Sequence, residues 1–139
     1  MSYTSGQIPS ISGPWESQMV GFLFMTLPTI LYFSFSESSK FQATIGKRVI
    51  GLSVVPQHEG SPMFSKVLLR NTVKFLPWEL GHLTANLAIY SSTAIPFWVY
   101  VPMALSIAIP VWWLASIVFR GYAPYESISK TCVCLRAST

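Results

Sequence analysis

The chain has 139 residues, of which 51% are hydrophobic and only 10% charged. A soluble domain carries about 25% charged residues, so there are too few here to cover a water-facing surface, and a membrane protein is the first reading. The net charge of +4 does not point to nucleic acid, because the nine Lys and Arg residues sit in two short regions separated by long uncharged tracts, a pattern of membrane topology rather than of a phosphate-binding face.

Residues 1–16 open with MSYTSGQIPSISGP, polar and broken by Gly and Pro, and predict an irregular tail. Residues 17–36 contain no charge and match the roughly 20 residues needed to span a bilayer. They predict a first transmembrane helix, kinked at Pro28. With no basic start and no A-x-A site, they do not read as a cleaved signal. Residues 37–74 form a basic region with Lys40, Lys47, Arg48, Lys66, Arg70 and Lys74. Within it the β-branched run around Val49–Val55 predicts a short strand, HEGSP a polar turn holding His58, and FSKVLLRNTVKFL an amphipathic helix at the headgroup boundary. Residues 75–91 read as a weak second transmembrane helix. Residues 94–119 read as a strong third one despite Pro96, Pro102 and Pro110, with Trp98, Tyr100, Trp112 and Trp113 as candidate markers of interfacial depth. Residues 120–139 form a second basic segment in which Thr131–Leu135 predicts a strand to pair with the first, since either alone would leave its edges open. Cys132 and Cys134 share one face of that strand and are read as reduced thiols, too few to form a metal site.

Cytoplasmic loops are rich in Lys and Arg. Both basic regions therefore belong inside and the tail outside, giving three crossings with an external turn near YSSTAIP. The small residues Gly81 and Ala85, and Ala104 and Ala108, support close approach of the second and third crossings.

The run Gln42-Ala43-Thr44-Ile45-Gly46-Lys47-Arg48, then Gly51-Leu52 and Val54-Val55, then Leu69-Arg70-Asn71, Lys74-Phe75-Leu76-Pro77-Trp78-Glu79 and His82 resembles the RDD family of small bacterial membrane proteins. The later PYESISKTCVC resembles that family's closing segment, so the likeness runs from Tyr32 to Val133. The family is named for an Arg and two Asp residues, and the resemblance implies a first transmembrane helix carrying an Arg and an Asp. This chain has no Asp. It is identified as a shortened member in which that first helix has no counterpart. Glu126 stands at the last Asp position, and Ser129-Lys130 stands where the family has Ala-Gly.

Glu79, His82 and Asn86 lie on one helical stripe. Ionisable groups inside a membrane usually face the bundle interior. Two readings stand: a proton or cation path, because His titrates near neutrality and burial raises Glu, or a hydrogen-bond network that holds the weak helix in place. Gln42, Thr44, Gly46, Lys47, Arg48, Arg70 and Lys74 are candidates for contact with anionic lipid headgroups. The alternative for Arg48 or Arg70 is an ion pair with Glu126. Gly46-Lys47-Arg48 is no Walker loop, having Arg48 in place of Ser or Thr. No set of nucleophile, base and orienting group is present, so neither enzyme activity nor a cofactor or metal is expected. The expected fold is an all-α integral membrane protein with three transmembrane helices, an interfacial amphipathic helix and a small cytoplasmic two-stranded β element. The expected role is that of an accessory or structural subunit of a larger membrane protein complex in the bacterial inner membrane. The alternative is a cation/proton antiporter or small-solute transporter working as a homo-oligomer.

Overall fold

The computed structural model describes residues 13–57, 62–91 and 94–135. Most of the expected tail, the turn holding His58 and part of the expected external turn lie outside the described residues. Helix α1 (Pro14–Ser38) begins earlier than the span read from the sequence. Pro14 sits in its first turn, where a missing N–H removes no helical bond. The sequence reading placed residues 14–16 in the tail because Glu16 is charged, but one acid in a first helical turn is favourable.

α1 contains a π-helical turn over Phe22–Thr26. Its position follows from Pro28, which lacks an N–H and crowds the carbonyl four residues back. The helix widens just before it: the Leu27 N–H bonds to the Phe22 carbonyl, and the Thr29 hydroxyl donates to the Met25 carbonyl at 2.6 Å. Eight residues separate Gln18 from Thr26, which an unbroken α-helix would turn about 80° apart. The wider turn takes up one residue and brings them back to within about 20°.

A short helix, α2 (Ile45–Val49), precedes β1 (Leu52–Pro56). Val49, expected to open the strand, is therefore helical. Gly51, at φ +72°, makes the turn into β1, a conformation that β-branched residues avoid. β1 pairs antiparallel with β2 (Thr131–Leu135), in register from Leu52 opposite Leu135 to Pro56 opposite Thr131, so the expected strand pair is present.

The amphipathic helix and the weak crossing, read as separate elements meeting at residues 74 and 75, are one continuous helix, α3 (Phe64–Ile89). Pro77 lies inside this helix. It removes one backbone bond, but it is buried against neighbouring helices, and no Gly or turn cluster beside it supplies a way out of the helix. A 3₁₀ turn (Phe97–Val99) leads into α4 (Tyr100–Arg120). Gly121, at φ +79°, ends α4 with its N–H on the Ile117 carbonyl at 2.9 Å. A last helix, α5 (Pro124–Ser129), precedes β2.

α3 is the central element. α1 packs along one side of it, α4 along another, and α5 against its basic end. Among the described residues two helices, Pro14–Ser38 and Phe97–Arg120, are long and apolar enough to cross a membrane, with mean hydropathies of 1.6 and 1.9. α3 is long enough but too polar for that criterion. Burial is inverted relative to a water-soluble protein. Thr26, Ser34, Glu37, Arg70 and Asn71 are inside, while Phe24, Phe97, Val118 and Phe119 are outside. Hydrocarbon surroundings demand this arrangement, since polar groups there must find partners within the protein. Of the small residues expected between the second and third crossings, only Gly81 faces α4. A Cβ there would lie 3.9 Å from that of Ser106, whereas Ala85, Ala104 and Ala108 are exposed.

Candidate functional site

The polar side chains of α3 gather into two layers. In the first, Glu79 and Asn86 turn toward α1. The Glu79 carboxylate accepts from Gln18 Nε2 at 2.7 Å and from the Thr26 hydroxyl. Gln18 Oε1 in turn accepts from Asn86 Nδ2 at 2.8 Å, and the Ser17 hydroxyl donates to Asn86 Oδ1 at 2.9 Å. This chain of five hydrogen-bonded side chains needs both Gln18 and Thr26 on the face toward α3, and the π turn puts them there. His82 stands at its edge. Its Nδ1 is 3.8 Å from Glu79 Oε1, too long for a hydrogen bond, and its ring packs on Trp78 at 4.8 Å between centroids. His82 also lines a shallow groove with Trp78, Gly81 and Ser106. The predicted stripe therefore divides: Glu79 and Asn86 join the network, and His82 flanks it.

The second layer lies toward the basic end and is centred on Glu37, which is fully buried. One carboxylate oxygen accepts from Lys47 Nζ. The other accepts from Arg70 Nη1 at 2.9 Å and Asn71 Nδ2 at 3.2 Å. Asn71 Nδ2 also reaches the Ser34 hydroxyl at 3.3 Å. Arg70 Nη2 lies 3.4 Å from Glu126 Oε1, while Glu126 Oε2 accepts the Ala123 N–H at 3.2 Å and so caps α5. Glu126 thus performs two tasks, anchoring Arg70 and starting its own helix. Burial pushes the Lys47 ammonium below its ordinary range even though Glu37 pulls the other way. Burial likewise raises the Tyr125 hydroxyl, whose ring lies under the Arg70 guanidinium. Two buried atoms in the layer, Arg70 Nε and Asn71 Oδ1, have no hydrogen-bond partner among the described residues.

The remaining predicted residues are placed as follows. Arg48 does not meet Glu126; it lies over the Phe41 ring at 3.6 Å and donates to the Ala43 carbonyl at 3.3 Å. Its side chain stays at the surface and reaches this nearer partner, leaving Arg70, on the buried face of α3, to hold Glu126. Thr44 precedes α2 and is buried, Gly46 is exposed within α2, and Gln42 adopts φ +52° with its carbonyl accepting the Val54 N–H at 2.6 Å. Lys74 lies 5.0 Å from the Phe33 ring. Cys132 and Cys134 are free thiols with sulfurs 3.6 Å apart on one strand face. Burial is the main reason the Cys132 thiol is raised, with its neighbour adding to it.

Sequence reasoning missed Glu37, Gln18, Thr26 and Asn71 as site residues. Glu37 carried one signal: it is the only acid next to the basic run of residues 40–48.

An apolar exterior, a polar interior and two helices able to cross a bilayer define a helical membrane protein. The family profile for RDD matches residues 1–119, and the chain belongs to the RDD family, a family of small membrane proteins. The match takes in all of α1, which the motif likeness did not, and ends before Glu126. No curated protein and no solved structure matches the chain.

Proposed function

We propose that the chain is a non-enzymatic, multi-pass protein of the bacterial inner membrane that serves as an accessory or structural subunit of a larger membrane protein complex. The observation carrying this reading is the use of the intramembrane polar groups: Gln18, Thr26, Glu79 and Asn86 satisfy one another across the α1–α3 contact. Such a network ties helices together, and its members spend their hydrogen bonds on one another. α3 is proposed as the second of three crossings. Its 26 residues cover about 39 Å, and its polar face is covered by α1. The N-terminus is then outside and the C-terminus inside, with the basic ends of α3 and α4 among anionic headgroups. The outer faces of α1 and α4 would meet lipid and partner subunits.

A second reading, a cation/proton antiporter or small-solute transporter acting as a homo-oligomer, is favoured by one feature. His82 is partly exposed in a groove beside Glu79. Purification from native membranes tests the first reading: the chain should migrate within a large assembly. Flux measurements in vesicles separate the two. If Glu79→Gln abolishes a proton-coupled flux while leaving the amount of protein intact, the transport reading replaces the structural one.

A further inference from the structure

We propose that a slot between α3, α4 and α5 holds one anionic phospholipid, with its phosphate against Lys74. The proposal rests on the membrane placement above and names the lipid class and its seat.

The slot measures about 370 Å³ and is lined by Lys74, Pro110, Trp113, Leu114, Ile117 and Tyr125. Its lining is mostly apolar; besides the Trp113 indole N–H, Lys74 and Tyr125 are the only lining residues that carry a polar side-chain group. Charge decides the occupant. The second layer beside it, taken together with Lys74 one turn further along α3, contains two carboxylates, Glu37 and Glu126, and three cations, Lys47, Arg70 and Lys74. Glu37 takes Lys47 and Arg70, and Glu126 takes the second face of Arg70. Lys74 is left with an aromatic ring and, among the described residues, no carboxylate within ion-pair distance. The layer therefore carries one positive charge in excess, in surroundings where an unpaired ion is costly.

A single negative charge joined to an apolar tail answers both features. The phosphate of a singly anionic phospholipid would neutralise Lys74, and a chain would lie along Pro110 and Leu114. A peptide segment fits poorly, because these walls give its backbone N–H and C=O groups too few partners. A zwitterionic lipid brings its own cation toward the excess positive charge.

The test uses the full chain with Trp113 as its only tryptophan, the others replaced by Phe, in vesicles of phosphatidylcholine and phosphatidylglycerol. One lipid at a time carries brominated chains, which quench a neighbouring indole. At equal mole fraction, brominated phosphatidylglycerol should quench Trp113 several-fold more than brominated phosphatidylcholine. The preference should vanish in Lys74→Gln, persist in Lys74→Arg, and resist added inorganic phosphate. Equal quenching by the two lipids overturns the proposal, as does a preference that survives Lys74→Gln. If Lys74→Gln does not reconstitute, the comparison of lipids on the parent protein decides alone. Absence of quenching by either lipid, at Trp113 and at Trp112 in the matching single-tryptophan protein, would instead overturn the membrane placement beneath it.

Discussion

Glu37, fully buried, and Glu79, partly buried, both lie on the α1–α3 contact, yet their partners differ in kind. Glu37 holds two cations and an amide, whereas the hydrogen-bond donors to Glu79 are an amide and a hydroxyl. Removing the charge from Glu37 strands Lys47 and Arg70, and breaking a buried ion pair costs about 3–5 kcal/mol. Glu79→Gln loses charge-assisted hydrogen bonds to neutral donors, roughly 1–3 kcal/mol. Unfolding in mixed micelles should therefore rank Glu37→Gln well below Glu79→Gln, and the opposite order would refute the assignment of roles. Lys130 makes a second test. It ends α5 at φ +52°, at the position where the resemblance implies Gly. A left-handed L-residue costs about 1–2 kcal/mol, so Lys130→Gly should raise stability by about 1 kcal/mol after the entropy of glycine is set against it. A lower unfolding midpoint for Lys130→Gly would show that the Lys130 side chain compensates for its backbone.

The elements were unevenly legible. α4 and the strand pair could be read from local composition: an uncharged run, and two β-branched segments with no other partner. The continuity of α3 could not, because Pro77 and the fall in hydropathy around Glu79 and His82 are local signals of a break, while the burial that overrides them comes from α1 and α4. The π turn was equally hidden; a sequence shows a proline but not which turn before it will widen. That turn behaves as one residue inserted into an α-helix. Deleting the exposed Phe24 together with Pro28→Ala should leave a regular helix that still carries Gln18 and Thr26 to Glu79. Inserting one alanine after Phe24 should swing Gln18 by about 100° and release Asn86 as well. Glutamine-18-to-cysteine and asparagine-86-to-cysteine crosslinking reports this directly: it should survive the deletion and fail after the insertion. Crosslinking that survives both would mean the helix phase is not what brings these residues together.

For the molecule as a whole, the class was legible from its charge content alone, and the two-layer interior was not. Gln18 and Glu79 are 61 residues apart, and Glu37 and Arg70 are 33 apart; no periodicity connects them. What could be read was one side of each contact, the stripe on α3, because an amphipathic pattern records that a partner exists without recording which. Topology remains the property on which the functional proposal depends most. With three crossings, an impermeant thiol reagent applied outside should label Ser91→Cys in intact cells and leave the native Cys132 and Cys134 unlabelled until the membrane is opened. Labelling of the native cysteines from outside would reverse the orientation.

The pairing of β1 with β2 also sets an order of events in time. β1 precedes α3 and α4 in the chain, and β2 is the last described segment. As the ribosome delivers the chain, β1 must wait with open edges until both helices have been placed and the far segment has emerged. Closing the ladder is then a sign of completion: the pair can close only once α3 and α4 have folded back and brought β2 to β1. A chain stalled midway would display an unpaired strand, the kind of feature that quality-control proteases and chaperones can detect.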